Sequence, residues 1–153
     1  MNPVFQSPGS LRSLIRSGSY EQQTSGQCPG YAQANICILP KEYAFDFLLF
    51  ATRNPKPCPI LHVLEPGESI FDGDIDIRTD LPEYRIFENG SPVAESKDIN
   101  AYWRPDLVTF VIGCSFSFED ALQRAGMSVR HVDSGRNVPM YGHALCFIMF
   151  TCT

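Results

Sequence analysis

The sequence contains no apolar run longer than the seven residues Ala144 to Phe150, no Cys-x-x-Cys pair and no cluster of lysines or arginines. A helix that crosses a bilayer takes about twenty apolar residues, so no membrane partner is expected. The six cysteines (Cys28, Cys37, Cys58, Cys114, Cys146 and Cys152) lack zinc-like spacing and follow no signal peptide, which reads as reduced thiols of an intracellular protein without a metal site. Twelve basic residues against seventeen acidic ones give a net charge of -5, the wrong sign for a nucleic-acid partner. An anionic small molecule can still be bound by local arginines. What the chain does have is 153 residues, 44% of them hydrophobic and 19% charged, enough for one globular domain with a real core.

The most informative stretch is Gly113-Cys114-Ser115-Phe116-Ser117-Phe118-Glu119-Asp120. It follows Leu107 to Ile112, too apolar for anywhere but a core, and precedes the helix formers Ala121 to Ala125, with Gly126 as the stop. Ser117 is the expected N-cap, and Glu119 and Asp120 put negative charge in the first turn, where the helix dipole favours it. Cys114 and Ser115 then fall just before a helix N-terminus, where free N–H groups bind anions and activate thiols. Cys114 is accordingly either a nucleophile or a small buried hydrophobe. Glu119 is either an acid/base group or a partner of the dipole.

Before that stretch, Ser7-Pro8 with Leu11, Leu14, Ile15 and Gly18 predicts a short capped helix. Its Arg12 and Arg16, with no acid before Glu21, equally match an organelle leader, so the compartment is expected to be the cytoplasm or the mitochondrial matrix. Tyr31 to Leu39 reads as a strand, with the amides of Gln33 and Asn35 on one face, where they either satisfy backbone or enter a site. From Pro40 a helix apolar nearly all round is expected to be deeply buried. Asn54-Pro55-Lys56-Pro57-Cys58-Pro59 fixes an extended loop that presents Lys56 and Cys58 on a rigid backbone before a strand at 60–64.

Asp72-Gly73-Asp74-Ile75-Asp76 is a poor calcium loop, because Ile77 stands where glycine is required. Asn89-Gly90 marks a hairpin over 84–93, with Pro92 on an edge strand. Residues 127–132 alternate as a strand, which leaves His131 a plain surface residue, and Gly135 to Tyr141 follows as a loop in which Arg136 can clamp a carboxylate.

Gly30-Tyr31, Gln33-Ala34-Asn35, Phe45-Asp46-Phe47, Asn54 to Pro59, Arg78-Thr79-Asp80-Leu81-Pro82, Gly113 to Glu119 and Arg136-Asn137-Val138-Pro139-Met140-Tyr141 together resemble the D-glutamate cyclase family, from about Pro8 to Tyr141. The resemblance implies a mixed α/β fold, a layered αβα sheet core with a smaller α+β insertion. It also implies a lyase that closes D-glutamate to 5-oxo-D-proline with loss of water, without a cofactor, on a small amino-acid or dicarboxylate substrate. A homo-oligomer is compatible with it. Residues 1–141 would be the N-terminal part of that domain and 142–153 a divergent apolar tail, with the C-terminal half of the family fold missing.

The alternative is a non-catalytic shortened form that acts by binding or interaction, or an unstable fragment. Cyclisation needs a base for the amine, binders for the carboxylate and oxyanion, and an acid for the departing water. Cys114, Glu119 and Cys58 are the catalytic candidates. Gln33, Asn35, Lys56, Ser115, Arg136 and Asn137 are the substrate-binding ones.

Overall fold

The computed structural model describes residues 4, 5 and 7–135. The predicted loop and tail beyond 135, with Arg136, Asn137, Cys146 and Cys152, lie outside the described residues. The first helix, α1 (Pro8–Arg16), starts as expected: Ser7 is its N-cap, its hydroxyl accepts from the Ser10 N–H at 3.5 Å, and proline occupies the first turn. Leu11 and Ile15 are buried one turn apart, against Cys28, Phe5 and Tyr20.

The centre is a three-stranded antiparallel sheet in the order β1-β7-β2, made of β1 (Ala34–Pro40), β7 (Leu107–Gly113) and β2 (Ile60–Val63). Strand β7 is central because it is apolar on both faces, as a doubly covered strand must be. Its Leu107 to Val111 are all buried. Register pairs Ala34 with Gly113 and Pro40 with Leu107. The first strand thus begins at residue 34, three residues later than the sequence suggested, because Gln33 is bound to another element.

Helix α2 (Lys41–Arg53) packs on β1 and β7, with the Phe47 ring edge-on to Phe110 at 4.8 Å between centroids. The expectation that α2 is deeply buried is overturned. Only Ala51 is buried, whereas Phe45 is 71% and Tyr43 57% exposed. A helix apolar all round shows which residues favour burial, not whether the described chain supplies a cover for both sides.

The opposite face of β7 is covered by the connection from β2. There Val111 joins Leu64 and Ile77, with Ile36, Ile38, Phe71, Ile75 and Trp103 packed around them. That connection contains two hairpins, β3–β4 (Ile70–Phe71, Ile75–Asp76) and β5–β6 (Tyr84–Glu88, Ser91–Ser96), followed by a single 3₁₀ turn at Asn100–Tyr102. Both turns carry positive φ at two successive residues, Asp72-Gly73 and Asn89-Gly90, so the predicted Asn-Gly hairpin is present and the rejected calcium loop is a second turn of similar kind. Gly67 has φ +79, and a Cβ there would lie 2.9 Å from the Pro105 carbonyl, so the connection closes on itself only through glycine. The fold is therefore mixed α/β, with a helix on one sheet face and the insertion on the other.

After β7 come α3 (Phe116–Arg124) and a single turn, α4 (Arg130–Asp133). Gly126, at φ +77, stops α3 as predicted. The strand expected at 127–132 is absent: Val129 is buried and the chain turns into α4. Six alternating residues were too short a sample to separate the two periods.

Candidate functional site

The turn between β7 and α3 is fixed by its contact with the entrance to β1. Ser117 is not the N-cap; Ser115 holds that position and makes no capping bond. The Ser117 hydroxyl instead accepts from the Gln33 N–H at 2.8 Å and donates to the Gln33 carbonyl at 3.0 Å. The same carbonyl accepts from the Cys114 N–H at 3.3 Å and from its thiol at 3.4 Å. The Gln33 side chain donates through Nε2 to the Gln27 carbonyl at 3.0 Å, while its Oε1 is buried without a protein partner. The motif that drew attention in the sequence is thus tied to Gln33 across 84 positions.

Two cavities meet at this junction. The larger, about 660 Å³, lies on the insertion side of the sheet, and Arg12, Gln33, Asn35, Asp80, Cys114 and Ser115 are among its walls. The smaller, about 340 Å³, is lined by Gln33, Glu119, Asp120 and His131 among others. Four of the expected site residues, Gln33, Asn35, Cys114 and Ser115, therefore share one cavity, and Glu119 lies next door. Lys56 is exposed and Cys58 half-buried on the loop before β2, where the Cys58 N–H donates to the Asn54 carbonyl at 3.0 Å. Neither lines either of these cavities.

Between the cavities runs a line of three side chains. The Ser115 hydroxyl donates to Glu119 Oε1 at 3.2 Å, and Glu119 Oε2 lies 3.1 Å from His131 Nε2. The side chains of Glu119 and His131 are 13% and 10% exposed, which overturns the reading of His131 as a plain surface residue. The alternation at 127–132 hides this contact in the sequence, because a strand there would turn His131 away from α3. With α4 in place of that strand, His131 faces back to the first turn of α3. Among the described residues, no three His, Cys, Asp or Glu side chains are grouped so as to hold a metal ion.

The far wall of the larger cavity is electrostatic. Asp80, whose side chain is fully buried, accepts from Arg16 Nη2 at 2.6 Å and from Arg16 Nε. It also accepts from the Asp76 N–H at 3.0 Å, and Arg12 Nη2 donates to both carboxylate oxygens of Asp74 at 2.9 Å. The hydrogen bond to Asp80 holds the Arg16 guanidinium above its ordinary pKa. Burial raises the nearby Cys28 thiol, against the opposing charge of Arg12. The arginines that gave the first residues a leader-like composition are thus ion-pair partners within the fold, so the matrix expectation gains no support from them.

No helix among the described residues is long and apolar enough to cross a membrane. The model of the family described as D-glutamate cyclase matches residues 108–148. The chain is 56% identical over 138 residues to "Putative hydro-lyase cu1581" of Corynebacterium urealyticum, covering 88% of this chain and 52% of that protein. It is 53% identical over 137 residues to "Putative hydro-lyase YcsI" of Bacillus subtilis, covering 88% and 53%. The chain spans about half the length of the curated relatives it matches.

Proposed function

We propose that the chain is part of a D-glutamate cyclase, the family whose model its residues 108–148 match, and that its larger cavity holds D-glutamate for closure to 5-oxo-D-proline with loss of water. The observation that carries the reading is that Gln33, Asn35, Cys114 and Ser115, separated in sequence by some eighty positions, line one cavity with a carboxylate immediately behind Ser115. Within the same proposal residues 1–141 form part of a hydro-lyase domain. Residues 142–153, of which the family match takes in 142–148, form a divergent tail.

A second reading, a shortened form that binds without catalysing, is favoured by one observation: the outer side of α2 exposes Tyr43, Phe45 and Leu48. One experiment separates the two. The 153-residue chain, a version ending at Tyr141 and the full-length Bacillus subtilis relative are compared for 5-oxo-D-proline formation from D-glutamate, with L-glutamate as control, and for sedimentation. Product from both this chain and the relative supports the first reading; product from the relative alone, with D-glutamate bound by this chain, supports the second. If neither forms product, the D-glutamate assignment is wrong.

A further inference from the structure

Resting on that reading of the larger cavity, we infer that Ser115, Glu119 and His131 form a proton-transfer array. In it Ser115 exchanges protons with the substrate amine, Glu119 stores the proton, and His131 positions Glu119 from the smaller cavity. Three observations carry it. Ser115 lines the larger cavity and Glu119 and His131 the smaller, so the array spans the wall between them. Both carboxylate oxygens of Glu119 are engaged, at 3.2 Å by the Ser115 hydroxyl and at 3.1 Å by His131, so its rotamer is fixed from both ends. Glu119 and His131 are nearly buried, whereas a pair that merely decorated the start of α3 would be solvated.

The chemistry balances without a cofactor. The ammonium of D-glutamate passes a proton through Ser115 Oγ to Glu119, and the freed amine adds to the γ-carboxyl carbon, forming the C–N bond. An oxygen of that carboxyl then takes the stored proton back through Ser115. A second nitrogen proton follows the same route to that oxygen, and the C–O bond breaks as it leaves as water. Two protons leave nitrogen and two arrive at oxygen, nothing is oxidised or reduced, and the array returns to its starting state. Ser115 is thus the catalytic residue and His131 a positioning residue.

The test needs no turnover, so its failure is distinguishable from failure of the proposed activity. The 153-residue chain is treated with diethyl pyrocarbonate at low protein concentration, and the rate of modification of His131 is followed by peptide mass against exposed His62. In the wild type His131 should react severalfold more slowly than His62, because its nitrogen is hydrogen-bonded and screened. Glu119→Ala should raise the His131 rate towards that of His62, and Glu119→Gln, which keeps the shape, should fall between. An unchanged His62 rate certifies the fold of each variant. D-glutamate should change the His131 rate in the wild type and not in Ser115→Ala. Equal wild-type rates for the two histidines, indifference to Glu119→Ala, or a D-glutamate response that survives Ser115→Ala would each overturn the array, whereas no response to D-glutamate beside an intact Glu119→Ala effect would overturn the ligand assignment instead.

Discussion

The two faces of strand β7 are finished differently. On one, Val111 lies under Leu64 and Ile77, and the insertion hairpins and α1 complete the cover with buried Asp80 and its arginines. On the other, Phe110 meets Phe47, but α2 turns Phe45 and Tyr43 to solvent. The same strand therefore supports a closed, ion-paired side that contains the cavity and an apolar side whose outer surface has no cover among the described residues. Apolar content alone does not distinguish them; the closed side is the one with polar groups whose bonds fix it.

The sharpest way to break that contrast is at Asp80. Asp80→Ala leaves Arg16 and the Asp76 N–H without their acceptor, removes the ion-pair partner 3.7 Å from the buried Arg12 Nε, and should cost about 3 kcal/mol in denaturant unfolding. A loss below a third of that would mean that packing, not the ion pairs, closes this side. Next comes the site itself. Under the first reading of the function, Glu119→Gln should lower the kcat for 5-oxo-D-proline about hundredfold, a usual worth for a general acid/base, with KM little changed. An equal fall in affinity would instead make Glu119 a binding group.

Within α2 the two sides should differ as the two faces of β7 do. Phe47→Ala, which removes the ring on Phe110, is expected to cost about 2 kcal/mol, while Phe45→Ala should cost under about 0.5 kcal/mol. Phe45→Lys should also reduce self-association in sedimentation. Similar costs at both positions would show that Phe45 is covered in solution. A further small effect is one of pH. Hydrogen bonds from the Arg78 side chain, with its backbone N–H and charge, hold Asp76 below its ordinary value of 3.8. The unfolded chain therefore binds the proton first, and the contribution of the pair is fully present above about pH 5 and fades as pH falls through the folded value. With both groups partly solvated it should stay under about 1 kcal/mol, and Asp76→Asn should flatten that part of the acid limb.

Local signals were readable wherever one residue dictates the backbone. Ser7-Pro8 started α1, Asn89-Gly90 turned a hairpin, Gly126 ended α3, and the apolar stretch at 107–112 became the central strand. What failed depended on distant partners. Ser117 and Ser115 are the same residue type, yet the Ser117 hydroxyl binds both backbone groups of Gln33, which no spacing rule foresees. His131 took its meaning from Glu119, twelve positions away across a turn read with the wrong period. The burial of α2 was misjudged because the covering of a helix is a property of the whole fold. Gln33 and Asn35 stood out by their period-two spacing and Cys114 and Ser115 by the helix start that follows them, but the cavity joining the four was invisible in the sequence.

The order of strands has a kinetic consequence. The middle strand of the sheet is the last of the three to be synthesised, and its partners in β1 lie 67 to 79 positions earlier, from Leu107 opposite Pro40 to Gly113 opposite Ala34. While residues 41–106 are being made, β1 and β2 have no neighbour and α2 has no ring of Phe110 to rest on. Closing loops of that length precedes any reward from pairing, so the chain should fold slowly for its size and spend that interval with two unpaired strands exposed. A chaperone that holds the nascent chain until residue 113 emerges would raise its soluble yield more than any stabilising substitution in the finished sheet.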